Sequence, residues 1–127
     1  EMKDDETKIQ EIKEVLREFV KERDWEQFHT EKDLAIAISV EAAEILEHFR
    51  FRNGEDLREY LANDSNKKEI AHELVDVMAF LVRLADKTGI DLSESFKEKH
   101  EINQSRFSVE EAKGKGWMDV KKKEKQK

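Results

Sequence analysis

Apolar residues recur at helical spacing in several stretches of the chain. Ile9, Ile12, Leu16, Phe19 and Val20 fall three and four apart, which predicts a helix over about residues 5–23. The rhythm breaks in residues 24–30, which read as a loop carrying Trp25, Phe28 and His29. Thr30 can cap a second helix over about 31–51, with Asp33 in the place of a capping-box partner; its stripe is Leu34, Ile38, Ile45 and Phe49 beside Ala37. Asn53-Gly54 is a stop signal, followed by a short helix over about 55–61 and a polar break at 63–66. The most hydrophobic helix is expected over about 67–87, through Ile70, Leu74, Val77, Leu81 and Leu84, and ends at Thr88-Gly89. A last long helix over about 92–107 has Asp91 or Ser93 as its cap. The pattern weakens beyond Ser108, and residues 115–127 read as a basic, disordered tail.

These elements predict an all-α fold: one domain spanning 1–127, built as a four-helix bundle with a short extra helix. Composition agrees, since Pro is absent, Gly appears four times and 43% of residues are charged. Cys is also absent, which excludes disulfides, thiolate metal sites and cysteine nucleophiles. The net charge of −7, from 31 acidic and 24 basic residues, argues against nucleic acid as a partner, because binding its backbone relies on clustered Lys and Arg. It does not oppose a phosphate ligand accompanied by a divalent cation. No apolar run approaches a membrane span, and the first residues lack a signal peptide's apolar stretch. A cytoplasmic protein is expected.

Candidate chemistry lies in two acidic pairs. Glu41 and Glu44 in the second helix, and Glu73 and Asp76 in the most hydrophobic one, share i,i+3 spacing, so each pair projects from one side. At about 100° per residue both pairs fall along the edge of an apolar stripe, not opposite it. Four carboxylates converging beside a core repel one another and resist desolvation. A hard divalent cation resolves this, because it takes oxygen ligands. A solvated helix face gives the same spacing in so charged a chain. A ferritin-like di-iron site needs Glu-x-x-His on two helices, and neither His48 nor His72 stands at that position.

Trp25-Glu26-Gln27-Phe28-His29, Val40-Glu41-Ala42-Ala43-Glu44-Ile45-Leu46-Glu47 and Glu73-Leu74-Val75-Asp76-Val77 resemble the MazG-like all-α NTP pyrophosphatases, and their order and spacing are most similar to the dCTP pyrophosphatase branch. Thr88-Gly89-Ile90-Asp91-Leu92 and the segment from Lys99 to Phe107 extend the resemblance over about residues 9–114. It implies hydrolysis between the α- and β-phosphates of a nucleoside triphosphate, giving a monophosphate and pyrophosphate. It also implies Mg²⁺, with Mn²⁺ as a substitute, held by Glu41, Glu44, Glu73 and Asp76. A spare carboxylate, Glu44 or Glu47, would take the proton of the attacking water. Trp25, Phe51 and Phe80 match a base-stacking wall, His29 a nucleotide-facing loop His, and Lys99, Asn103 and Arg106 phosphate or sugar contacts.

Three departures bear on selectivity. Thr30-Glu31-Lys32-Asp33 stands where relatives carry a Pro and a basic-Asn pair, Phe51 stands where Trp is frequent, and Ser108 replaces a common Pro. An acid at Asp33 cannot donate as an amide does, and Phe51 offers no indole N–H. The resemblance implies a homotetramer, with a dimer as the smaller alternative. Rival readings are a dUTP or broad-range NTP pyrophosphohydrolase, a phosphoribosyl-ATP pyrophosphatase, and a non-catalytic helical nucleotide-binding or oligomerisation module.

Overall fold

The structure is a computed structural model that describes residues 1–120. It is helical, with no strand among the described residues: α1 (Ile9–Glu22), a 3₁₀ turn (Glu26–Phe28), α2 (Glu31–Glu47), α3 (Gly54–Ala62), α4 (Asp64–Thr88), α5 (Leu92–Arg106) and α6 (Val109–Ala112). The chain forms two compact units, with the second beginning at Asp91. In the first, α2 lies along α4 in the most extensive helix–helix contact, and α1 and α3 also pack on α4. Val20, Leu34, Ile70, Val82 and Ala85 form its buried core. The second unit holds α5 and α6.

Capping chemistry accounts for most boundaries. Thr30 Oγ1 accepts from the Asp33 N–H at 3.1 Å and starts α2, as its position predicts. Asp91 Oδ1 accepts from the Glu94 N–H at 2.8 Å and starts α5. Gly89, at φ +72°, closes α4 in the left-handed conformation that costs a glycine nothing, and the Ile90 N–H reaches back to the Ala85 carbonyl at 2.8 Å.

Four boundaries differ from those expected. α1 begins at Ile9 and not near residue 5, because the Glu11 carboxylate accepts from the Lys8 N–H at 2.8 Å and fixes the start there. α2 ends at Glu47 and not at 51: the Arg52 guanidinium donates to the His48 carbonyl at 2.8 Å, satisfying a group that a longer helix would have used. Residues 63–66 are no break, since Asn63 Oδ1 accepts from the Asn66 N–H at 3.1 Å and α4 starts at Asp64. Helix also continues past Ser108, whose Oγ caps α6 at 3.3 Å, and residues 117–120 are helical within the expected tail; its remainder, 121–127, lies outside the described residues.

Candidate active site

The acidic pairs of α2 and α4 meet across the seam between these helices. Glu41 is half-buried, with its Oε2 sealed from solvent and without a hydrogen-bond partner. Burial pushes the Glu41 carboxyl above its ordinary range; hydrogen bonding with Glu44 and the charges of Glu44, Asp76 and Glu73 push it further in the same direction. The four acids are therefore near neighbours. Among the described residues, no three His, Asp or Glu side chains are already drawn into a ready-made ligand set. Four like charges hold one another apart. The donors are all hard oxygens, and two of them, Glu41 Oε2 and Glu73 Oε2, are buried without a hydrogen-bond donor. That is the donor set a hard divalent cation takes.

His48, at the end of α2, joins this cluster. Its Nε2 lies 2.6 Å from Glu73 Oε2, within ion-pair range when the ring is protonated. No hydrogen bond to that oxygen accompanies the contact. The other ring nitrogen, Nδ1, is 2.5 Å from the Tyr60 hydroxyl on α3. Glu47, by contrast, forms an i,i+3 ion pair with Arg50 at 2.9 Å and is not among the charges acting on Glu41. Of the two expected proton acceptors, only Glu44 stands within the cluster.

Beside the acids is a cleft of about 330 Å³, lined by Leu16, Phe19, Val20, Trp25, His29, Asp76, Ala79, Phe80 and Arg83. Its aromatic groups are in register: the Phe19 and Trp25 centroids are 5.7 Å apart edge-to-face, and those of Trp25 and His29, and of His29 and Phe80, are each 6.4 Å apart. His29 Nδ1 is buried and unpartnered. Burial lowers the tendency of this imidazole to protonate, and Arg83 and Lys87 lower it further against the opposing pull of Glu26. The cleft thus offers an apolar slot between rings with one neutral, unspent imidazole nitrogen. Asp76 belongs both to its lining and to the acid cluster.

A model of the MazG-like family matches residues 36–119, a span that includes both acidic pairs. The chain belongs to the MazG-like family. It is 30% identical to dCTP pyrophosphatase 1 of Bos taurus over 106 residues, which is 84% of this chain and 63% of that protein. With dCTP pyrophosphatase 1 of Homo sapiens it shares 31% identity over 99 residues, 78% of this chain and 58% of the other. The chain thus spans less than two thirds of the length of these relatives. Among solved structures, a pyrophosphatase from Archaeoglobus fulgidus is similar at TM-score 0.72 and 33% identity, covering 85% of this chain and 99% of that one.

Within this MazG-like chain, the structure brings Glu41, Glu44, Glu73 and Asp76 together, and Trp25, His29 and Phe80 together beside them. Phe51 does not line the cleft: it is 79% exposed, with the Arg50 guanidinium 4.3 Å from its ring centroid. Lys99, Asn103 and Arg106 lie on α5 in the second unit, Asn103 half-buried and the other two exposed. Sequence reasoning missed His48 and Arg83. His48 is seven residues after Glu41, on the same helix face, a spacing that could have placed it beside the acids. The signal for Arg83 was a single cation within the apolar run of α4.

Proposed function

We propose that this protein is a magnesium-dependent nucleoside triphosphate pyrophosphohydrolase that cleaves the α–β phosphate bond, with dCTP and related pyrimidine nucleotides as its substrates. The observation that carries this reading is that a four-carboxylate cluster and an aromatic cleft share one residue, Asp76. A nucleotide has the same two-part chemistry, a flat base joined to a cation-bearing phosphate chain, and a base held against Trp25, His29 and Phe80 would project its phosphates toward the acids. The names of the Bos taurus and Homo sapiens relatives support dCTP as substrate.

Glu41, Glu44, Glu73 and Asp76 would hold Mg²⁺, or Mn²⁺ in its place. When bound, such a cation neutralises phosphate charge and eases deprotonation of a water. Trp25 and Phe80 would stack the base, and His29 Nδ1 would form a hydrogen bond with the nucleoside. Water attacks phosphorus at the α–β bridge, the bond to the bridging oxygen breaks, and pyrophosphate leaves. Glu44 would accept the water's proton, a reading that the pairing of Glu47 with Arg50 supports. Phe51 is assigned to base stacking, and Lys99, Asn103 and Arg106 to phosphate or sugar contacts, on their match to the family pattern.

The working form is proposed to be a homotetramer, or at least a dimer. Leu74, Val75, Met78 and Leu81 on α4 are each at least 41% exposed in the single chain, an apolar surface that association would cover. Among the described residues no helix is long and apolar enough to cross a membrane, and a cytoplasmic setting suits an enzyme of nucleotide pools. The test is magnesium-dependent pyrophosphate release across a panel of ribo- and deoxyribonucleoside triphosphates. Release from dCTP with dCMP as co-product is expected; no release from any nucleotide would refute the enzymatic reading and leave a binding module.

A further inference from the structure

Arg83 is an anomaly in α4. It is 3% exposed and sits between the buried Val82 and the helical turn carrying the buried Ala85. A guanidinium taken out of water is strongly disfavoured unless it is paired and hydrogen-bonded. Its partner is not in the core. Nη2 donates to both carboxylate oxygens of Glu26, at 3.1 and 2.7 Å, and Glu26 is on the 3₁₀ turn between α1 and α2 with its side chain 60% exposed. On the other side, Arg83 Nη1 is 3.7 Å from Asp86 Oδ2, and Asp86 is itself gripped by the Arg17 fork at 2.5 and 2.6 Å.

Glu26 directly follows Trp25 and precedes His29 by three residues. The backbone bonds of this turn are local: Trp25 N–H to the Val20 carbonyl, Phe28 N–H to Trp25 and His29 N–H to Glu26. Among the described residues, the polar ties from residues 24–29 to α4 are those that Arg83 and Lys87 make to Glu26, with Lys87 at 3.6 Å. Arg83 also lines the aromatic cleft. Nη2 straddles both oxygens of one carboxylate while Nη1 faces Asp86, so the planar guanidinium is held between the two acids.

We infer that Arg83 is a positioning residue for base recognition: by clamping Glu26 it holds the turn carrying Trp25 and His29 beside Phe80 in one cleft. The inference rests on the proposed nucleotide reading for its consequence, but the clamp can be read without turnover. Its asymmetry guides the choice of variants. Arg83→Met leaves Glu26 in water, where a free carboxylate is tolerated, whereas Glu26→Gln leaves a buried guanidinium with a weaker partner. Arg83→Lys keeps the charge but cannot face Glu26 and Asp86 at once through two nitrogens.

The experiment compares the unaltered chain with Arg83→Met, Arg83→Lys and Glu26→Gln. The first measurement is amide hydrogen exchange of residues 25–29 in the nucleotide-free protein. The second is NMR titration of His29. The third is the KM for dCTP beside inhibition by imidodiphosphate-bridged tripolyphosphate, which has no base. Arg83→Met is expected to speed exchange in the turn while sparing α2 and α4, and to move the His29 midpoint upward through loss of a nearby cation. It should also raise KM by roughly tenfold, with a smaller change in kcat and unchanged tripolyphosphate inhibition. Arg83→Lys should fall between the two, and Glu26→Gln should loosen the same turn. Unaltered exchange at 25–29 in both Arg83→Met and Glu26→Gln would overturn the clamp. So would a KM unmoved by Arg83→Met, or tripolyphosphate inhibition weakened as much as dCTP binding. If the unaltered protein hydrolyses no nucleotide, the functional reading fails separately, and the exchange measurement still decides the clamp.

Discussion

Asp76 and Phe80 stand one helical turn apart on α4 and line the same cleft, while the charge of Asp76 also bears on Glu41 across the seam with α2. The i,i+4 spacing puts an acid and an aromatic ring on one face. Through this pairing the acid cluster and the aromatic cleft are joined on a single helix.

Neutralising one acid at a time tests the proposed cation site. Glu41→Gln and Asp76→Asn remove a charge while keeping shape, and each should abolish magnesium-dependent pyrophosphate release. Helicity by circular dichroism should be unchanged. Thermal stability of the metal-free protein should hold or rise, because a repulsive charge has been removed from a cluster that pushes Glu41 toward its protonated form. Full activity in either variant would refute the assignment.

The two acidic pairs were legible in the sequence because a solvated surface seldom places i,i+3 acids beside the apolar stripe of two strongly hydrophobic helices at once. Trp25 and His29 were legible for the opposite reason: they stand where the helical rhythm fails. The 63–66 stretch was misleading because Asn, Asp and Ser serve equally as loop residues and as helix caps, and only the Asn63–Asn66 bond distinguishes the two. Arg83 could not be placed, since an arginine in an apolar run commonly extends its head to water. Here its partner Glu26 lies 57 residues away, a separation that no local pattern encodes.

Asp86 predicts how stability changes with pH. Hydrogen bonding from Arg17 holds its carboxyl below the usual carboxylate range; burial opposes this, and the charges of Arg17, Arg83 and Lys13 reinforce it. A carboxyl depressed by folding contributes stability above its unfolded value, about pH 4, and loses that contribution as pH falls through the folded value. Asp86→Asn should therefore melt lower than the parent at pH 7, and the gap between their melting temperatures should narrow as pH falls below about 4. A gap that stays constant on acidification through that range would show that the Arg17–Asp86 fork does not stabilise the fold.

Leu34, 1% exposed on α2, belongs to the buried core of the first unit. Leu34→Ala should cost about 2–5 kcal/mol of unfolding free energy, from lost burial and the cavity left behind. Urea denaturation followed by circular dichroism measures it. A loss below about 1 kcal/mol would mean that the core collapses around the gap.

Phe80 and Phe51 distinguish a site contained in one chain from one completed by the proposed association. Phe80 faces Trp25 and His29 within a single cleft, so Phe80→Ala should weaken nucleotide binding by about 1–3 kcal/mol, the usual worth of one base–aromatic contact. That is roughly a 5- to 150-fold rise in KM. Phe51 is outside that cleft and 79% exposed. If it stacks on a base, the ring must reach a site that this single-chain cleft does not include, and association of copies is the available route. Phe51→Ala should then raise KM in the assembled protein by a similar factor. In dilute protein, where the assembly dissociates, the unaltered chain should lose affinity to the same degree while the variant changes little. Steady-state kinetics across a protein dilution series, with oligomeric state followed by light scattering, reads both. A Phe51→Ala variant with unaltered KM at every concentration would remove Phe51 from the substrate site and leave base recognition to Trp25, His29 and Phe80.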